Sequence, residues 1–276
     1  MHMKTIVFTC LLLLPVNLSA QTATPSMSRQ SGTDNEYQVG AILWTQSSAE
    51  YRALAYQAFS LARLRLDQAL ANRGSKPPAV IVDVDETVLD NSRFQAELIL
   101  RGVAYTAEAW RQWCDRADAG AVPGAVEFLN HAFHHGAHVF YITNRRQPEK
   151  AGTIANLKKL GFPDVREDTV VVREQGATAS KESRRQNVSA RYRIVLLVGD
   201  NLNDFNDDFS GKSVAERKAQ IDRERAEFGS RFIVVPNPMY GDWEGAVYGN
   251  RPGLSDSDRS AMRKAALKGI TVQPGP

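Results

Sequence analysis

Three carboxylates stand within four residues at Asp83, Asp85 and Glu86, immediately after the apolar run Ala79-Val80-Ile81-Val82. That run reads as a strand buried on both faces, of the kind found in the middle of a parallel sheet. Carboxylates are seldom buried unless paired, protonated or bound to a metal, so acids at the carboxyl end of a buried strand signal a site. In open α/β sheets that end is where ligands bind. Two later apolar runs finish in the same manner. Ile142 leads into Thr143-Asn144-Arg145-Arg146, and Val198 into Gly199-Asp200-Asn201-Leu202-Asn203-Asp204-Phe205. Lys181 opens the helical stretch ahead of the second run and can reach the same edge.

Phosphoryl transfer is the chemistry that asks for these residue types. A phosphomonoester dianion repels a carboxylate, so attack by one requires cations and hydrogen-bond donors close by. Asp83 is the candidate nucleophile, forming an aspartyl-phosphate. Asp85, two positions on, can protonate the leaving oxygen and then activate water, once the strand unwinds enough to turn it inward. Asp83, Asp200 and the main-chain carbonyl of Asp85 make the sparse oxygen shell suited to Mg²⁺. Thr143 and the amide of Asn144 can donate to the phosphoryl oxygens, Lys181 can set a point charge beside them, and Asp204 can hold that lysine. A helix cap or solvated turn is the alternative for the aspartates, and it leaves Lys181 and the second cluster without a role. Arg184 and Arg185, one turn beyond Lys181, read as a solvated basic face. The stretch DFNDDFSG from Asp204 lacks the glycine and glutamate that a calcium loop needs.

Positioning these groups takes a βαβ series. Ala79–Val82, His138–Thr143, Thr169–Val172, Arg193–Val198 and Arg231–Val235 are strand-like runs, separated by helical patterns near 124–135, 149–160, 181–190 and 212–228. The order implies an α/β fold with a parallel sheet and right-handed crossovers. A long helix comes first. Ser47-x-x-Glu50 offers its capping box, apolar residues recur at three- and four-residue spacing from Tyr51 to Ala71, and Gly74 with Pro77-Pro78 ends it. Between Asp90 and Val122 no strand-like run occurs, only helical stretches carrying Tyr105, Trp110 and Trp113. Such an insert sits over the ligand-binding end, and together with the helix from Ser47 it reads as an α-helical cap. The expected layout is one domain over residues 37–276, with a core of about 76–90 and 123–240 and a cap of about 37–75 and 91–122.

The 276 residues are 43% hydrophobic and 24% charged, which supplies a substantial core and argues against disorder of the whole. Residues 1–20 read as a secretory signal peptide, with Lys4 ahead of the apolar run Ile6–Leu14 and Leu18-Ser19-Ala20 as the cleavage site. The Ser/Thr-rich residues 21–36 read as lacking fixed structure. Cysteine occurs only at Cys10 and Cys114, so cleavage would leave one cysteine and no internal disulfide. Cys114 reads as a packing residue, and His131, His134, His135 and His138 as surface groups near a helix end. A net charge of +3, spread rather than blocked, suits small anions and not a nucleic-acid polymer.

VIVDVDETVLDNSRF and LLVGDNLNDF resemble the paired signature motifs of the bacterial class C acid phosphatases, the four-aspartate branch of the haloacid dehalogenase superfamily. The likeness runs from about Val39 (VGAILWTQSSAEYRAL) through AVPGAVEFLN, YITNR and SKESRR to PNPMYGDWEG near Gly245. It implies a haloacid-dehalogenase-like Rossmannoid sheet under a helical cap, Mg²⁺ dependence, an aspartyl-phosphate intermediate and hydrolysis of nucleoside 5′-monophosphates. It also implies a place at the bacterial envelope and a homodimer. The family's four aspartates match Asp83, Asp85, Asp200 and Asp204, and its metal ligands match Asp83, Asp85 and Asp200. Two departures matter. Ala20-Gln21 stand where lipoprotein members carry a lipid-attached cysteine, which implies a periplasmic or secreted form with no stable membrane anchor. Phe94 stands where the first motif usually ends in tyrosine, keeping the ring and losing the hydroxyl. Rings beside a phosphate site suit a flat nucleobase, at roughly 1–3 kcal/mol per stacking contact, and Phe94 and Tyr240 are the candidates, ahead of Trp243. Two alternatives stay open: a broad-specificity phosphatase or phosphotransferase, and a binding or storage protein without turnover, against which the intact Asp83 argues.

Overall fold

A computed structural model describes residues 35–72 and 74–269, so the expected signal peptide and most of the unstructured segment lie outside the described residues. From the amino end the chain forms α1 (Val39–Ser47), α2 (Ala49–Ala71), β1 (Pro78–Val82), β2 (Leu89–Asp90), α3 (Ser92–Leu100), α4 (Ala107–Arg116) and β3 (Gly120–Ala121). It continues through α5 (Ala125–His134), β4 (His138–Arg146), α6 (Lys150–Lys159), β5 (Val170–Arg173), α7 (Glu182–Arg191) and β6 (Arg193–Gly199). The last elements are α8 (Val214–Arg223), β7 (Phe232–Val234), α9 (Asp242–Val247) and α10 (Asp256–Ala266).

The main sheet has five strands in the order β5-β4-β1-β6-β7, every neighbouring pair parallel. β1 is central, and its side chains alternate between two cores. Val80 and Val82 face the larger one with Ala55, Phe59 and Leu66 of α2 and Phe128 and Leu129 of α5. Ala79 and Ile81 face the smaller one with Val188 of α7, Phe205 and Phe232. Helices thus cover both faces, as continuous apolar strands require. The chain leaves β1 toward β4 on one side and β6 on the other, so the carboxyl end of β1 lies where the strand order reverses, the usual place for a ligand in this architecture.

Two expectations about the helices are corrected. The long helix is capped by Ser48, whose Oγ accepts from Tyr51 N at 3.0 Å, because Ser47 already closes the separate helix α1. More consequentially, α2 packs against α5, β6 and β7 and buries Ala55, Ala58, Phe59, Ala62 and Leu66, so it is a core helix and not part of the cap. What is left of the expected cap is α3 and α4, with α1 lying against α3. β2 and β3 pair antiparallel through Leu89↔Ala121 and Asp90↔Gly120, which pins the two ends of the insert together at its base. α4 rests on α6 at Gly152, where a Cβ would stand 2.7 Å from the Cys114 carbonyl carbon. Asn35 and Glu36, assigned to the unstructured segment, are ordered: Glu36 begins a short 3₁₀ turn and Asn35 Nδ2 donates to Val103 O at 3.3 Å. Cys114 is buried, and burial pushes its thiol up to about 12, in keeping with a packing residue.

Candidate active site

The acids of the first motif are presented by a tight turn that follows β1. Asp83 N donates to Val198 O at 3.0 Å, extending the pairing with β6 by one residue. The chain then doubles back, with Leu89 N and Val88 N both donating to Val84 O and Glu86 held at φ 58°. A left-handed conformation is uncommon for a residue with a long side chain, and here it is held by burial. Glu86 Oε1 accepts from Asn91 N at 2.9 Å and Glu86 Oε2 from the Tyr240 hydroxyl.

Asp83, Asp204 and Lys181 meet in the interior. The Lys181 ammonium, at the residue before α7, donates to Asp83 Oδ1 and, at 2.6 Å, to Asp204 Oδ1. Asp204 Oδ2 accepts from Asn201 N at 3.0 Å. Gly199 makes this approach possible, since a Cβ there would fall 2.5 Å from the Asp204 Cβ. Thr87 joins Asp200 to Asp83: its Oγ1 lies 2.9 Å from Asp200 Oδ1 and 3.5 Å from Asp83 Oδ2. Asn237 Nδ2 donates to Asp200 Oδ2 at 2.8 Å. Carboxylate oxygens of Asp83, Asp200 and Asp204 all lie within 4.8 Å of one another.

That crowding sets the electrostatics. Burial raises the Asp83 carboxyl well above the usual range, Lys181 opposes this, and Asp204, Asp200 and Asp85 reinforce it. Asp200 is pushed up to about 7, by burial first and Asp204 next, against donors from Asn237 and Thr87. Burial works against the Lys181 ammonium, yet Asp204 and Asp83 outweigh it and its pKa rises. Three clustered carboxylates with no sulfur or imidazole among them form a donor set that fits a hard divalent cation, which would relieve their mutual repulsion. Asp85 is not in this group. Its carboxylate turns toward β4, where Arg145 Nε and Nη2 donate at 3.0 and 2.8 Å, Asn91 Nδ2 at 2.9 Å and Thr143 Oγ1 at 3.4 Å.

Thr143 is fully buried, and its Oγ1 also accepts from Arg145 N at 3.0 Å, whereas Asn144 is exposed at the cavity. The next residues explain why β4 outruns its apolar part. Thr143 and Arg145 are buried while Asn144 and Arg146 are exposed, a strand's alternation written in polar residues, which a search for apolar runs passes over. Arg184 and Arg185 correct the expectation of a solvated face. Arg184 donates to Thr143 O at 2.6 Å and Asn144 Oδ1 at 2.7 Å, and buried Arg185 donates to Asn203 O at 3.2 Å and Asp204 O at 3.0 Å. Each fixes one of the loops that carry the site.

Above these groups lies a cavity of about 810 Å³ reached by Asp83, Asp85, Lys181, Asp200 and Asp204. Its cap-side wall carries Leu98, Tyr105 and Trp110, and Tyr240 also lines it. Phe94 does not line it. That ring is buried beneath Trp110, at a centroid distance of 5.1 Å, and also packs against Tyr105 and Trp113, so Tyr105 and Trp110 present the aromatic surface in its place. Trp243 lies in a neighbouring groove with Val214, Arg217 and Ile221, which adjoins the cavity at Asp200 and Asn201.

Comparison with solved structures finds the class C acid phosphatase from Bacillus anthracis at a TM-score of 0.81 and 40% identity, covering 85% of this chain and 98% of that one. The same enzyme with tungstate bound matches with identical figures. The stem 31 kDa glycoprotein of Glycine max is 27% identical over 165 residues, and acid phosphatase 1 of Solanum lycopersicum 26% identical over 166. These alignments take in 58% of this chain and 58% and 57% of the two relatives, so the chain spans less than two thirds of the length of the curated relatives it matches. The family model for the HAD superfamily, subfamily IIIB (acid phosphatase) matches residues 14–243. The sheet is parallel and its strand ends bring both aspartate motifs to one lysine, and the chain belongs to this acid phosphatase subfamily of the HAD superfamily.

Proposed function

We propose that the protein is a Mg²⁺-dependent acid phosphatase that hydrolyses small phosphomonoesters, nucleoside 5′-monophosphates above all, through a phosphorylated Asp83. One observation carries the reading: Asp83 meets Lys181, Asp200 and Asp204 at the floor of a cavity that Asp85 also lines. An Asp83 oxygen attacks phosphorus, the bond from phosphorus to the ester oxygen breaks, and the leaving oxygen takes a proton from Asp85. In the second half Asp85 accepts a proton from water, whose oxygen attacks phosphorus, freeing inorganic phosphate and restoring Asp83. Lys181 offsets the charge of the incoming phosphoryl group and is itself held by Asp204. Asn144, tied by Arg184, is placed to donate to the phosphoryl oxygens from the rim. Asp83, Asp200 and the main-chain carbonyl of Asp85 would hold Mg²⁺, which would supply further positive charge at those oxygens. The tungstate complex of the Bacillus anthracis relative supports an oxyanion site on this scaffold.

Tyr105, Trp110 and Tyr240 favour a substrate that carries a flat aromatic group and so a nucleotide over a sugar phosphate. A periplasmic or secreted location and a homodimer complete the reading, on the strength of the family resemblance. Release of inorganic phosphate from a panel of nucleotides, sugar phosphates and aryl phosphates, with and without Mg²⁺, tests it. Turnover should require the metal, be lost reversibly in EDTA and vanish in Asp83→Asn with the fold intact. Substantial hydrolysis by Asp83→Asn, or full activity in EDTA, would overturn the mechanism.

A further inference from the structure

Asp85 is gripped from the cap as well as from the sheet. Trp113 Nε1 on α4 donates to Asn91 Oδ1 at 2.8 Å, and Asn91 Nδ2 donates to Asp85 Oδ1 at 2.9 Å. Asn91 is fully buried, and the Trp113 ring is covered by Phe94. Arg145, whose side chain is 1% exposed, adds Nη2 to Asn91 Oδ1 at 3.4 Å while its Nε and Nη2 hold Asp85 and its Nη1 reaches Thr153 Oγ1 at 3.0 Å. The same guanidinium lies 5.2 Å from the ring of Trp110, which faces the cavity.

Hydrogen-bond chemistry makes this arrangement directional. A carboxamide has two ends of nearly equal shape, and a half-turn of its side chain exchanges them. An indole N–H and a guanidinium only donate, so with both at one end of Asn91 that end must be the oxygen, and the NH₂ end must face Asp85. Reversed, the amide would set an oxygen against the carboxylate, with two buried acceptors opposed and a donor stranded. The side chain of Asn91 alone has no reason to prefer one orientation over the other; the indole supplies the shorter of the two donors that fix its oxygen end, and Arg145 and the Asp85 carboxylate act in the same sense.

We propose that Trp113 and Asn91 are positioning residues for proton transfer: the cap, through the indole N–H and the amide it orients, holds the Asp85 carboxyl in line with the leaving oxygen. The inference rests on Asp85 as the proton-transfer group. It gives the cap a part in the chemical step besides covering the site, and it gives Trp113 a role that packing alone would not require.

Trp113→Phe removes the N–H and keeps an aromatic ring, and Asn91→Leu replaces the amide with a group of similar shape. Both are compared with Asp85→Asn by kcat/KM, which reports the first transfer, on a nucleoside 5′-monophosphate and on p-nitrophenyl phosphate. Ribose leaves as a poor alkoxide and needs the proton; p-nitrophenolate leaves almost unaided. Asp85→Asn should lower kcat/KM for the nucleotide by about 10²–10⁴ and for the aryl ester far less. Trp113→Phe and Asn91→Leu should show the same split at about ten- to a hundredfold for the nucleotide. Equal losses on both substrates, or none, in these two variants while Asp85→Asn shows the split would overturn the positioning role and leave Asp85 standing. No split in Asp85→Asn would overturn the reading of Asp85 and the positioning with it. A variant too unstable to assay leaves the other to decide.

Discussion

Asp200 shows most plainly how a single residue's surroundings become a measurable property. Burial, and then the neighbouring Asp204, raise its pKa from 3.8 to about 7 in the folded chain. An acid whose folded value is raised keeps its proton in the native state at pH values where the unfolded chain has released it, so stability falls as pH rises from 3.8 to about 7 and levels off above. Asp200→Asn removes that dependence. In EDTA, the Tm of the wild-type protein relative to this variant should drop as pH rises through the window, and a pH-independent difference would contradict the burial argument. A divalent cation takes the deprotonated form, so Mg²⁺ should raise the wild-type Tm more at pH 7 than at pH 5. The types Asp83, Asp85, Asp200, Asp204 and Lys181 were legible because each follows or faces the end of an apolar run. Thr87, Asn91, Asn237, Arg145 and Arg184 were not, since an arginine or amide acquires its role from burial and from the donor or acceptor opposite it. For Arg145 one sign was present in the chain, its two-residue spacing from Thr143 at the end of a strand.

At the scale of elements, the cap is where sequence and structure part company. Three- and four-residue periodicity declares that α2 has an apolar face but not which element that face meets, and the sheet rather than the cavity claims it. The insert between β2 and β3 carries α3 and α4, and the ring that faces the cavity depends on how these helices are rotated about their axes. That rotation buries Phe94 and leaves Trp110 at the wall, beside Tyr105 from the loop that joins the two helices. Trp110→Ala should therefore raise KM for a nucleoside monophosphate by about five- to a hundredfold, the equivalent of a stacking contact worth roughly 1–3 kcal/mol. KM for a small phosphate ester without a base, such as glycerol 2-phosphate, should change little. Equal effects on the two would assign Trp110 to the packing of the cap and of Arg145 beneath it.

For the molecule as a whole, one sheet does two jobs: its faces bury the cores and its carboxyl edge assembles the site. The two should separate by mutation. Leu66 is fully buried where α2 meets the sheet and lines no part of the cavity, so Leu66→Ala should cost about 2–5 kcal/mol of stability, read by denaturant unfolding, with KM unchanged. A loss of substrate binding at undiminished stability would show that α2 serves the site after all. The order of strands and helices, the parallel sheet and the acids at its edge were determined by the chain alone, because hydrophobic period and abrupt changes of polarity are local and survive without a partner. Which acids share a cluster, that Asp85 turns away from it to Arg145, and which rings face the cavity were decided only by tertiary structure. Each depends on distances of a few ångströms between residues far apart in sequence, set by helix rotation and side-chain burial that no local pattern encodes.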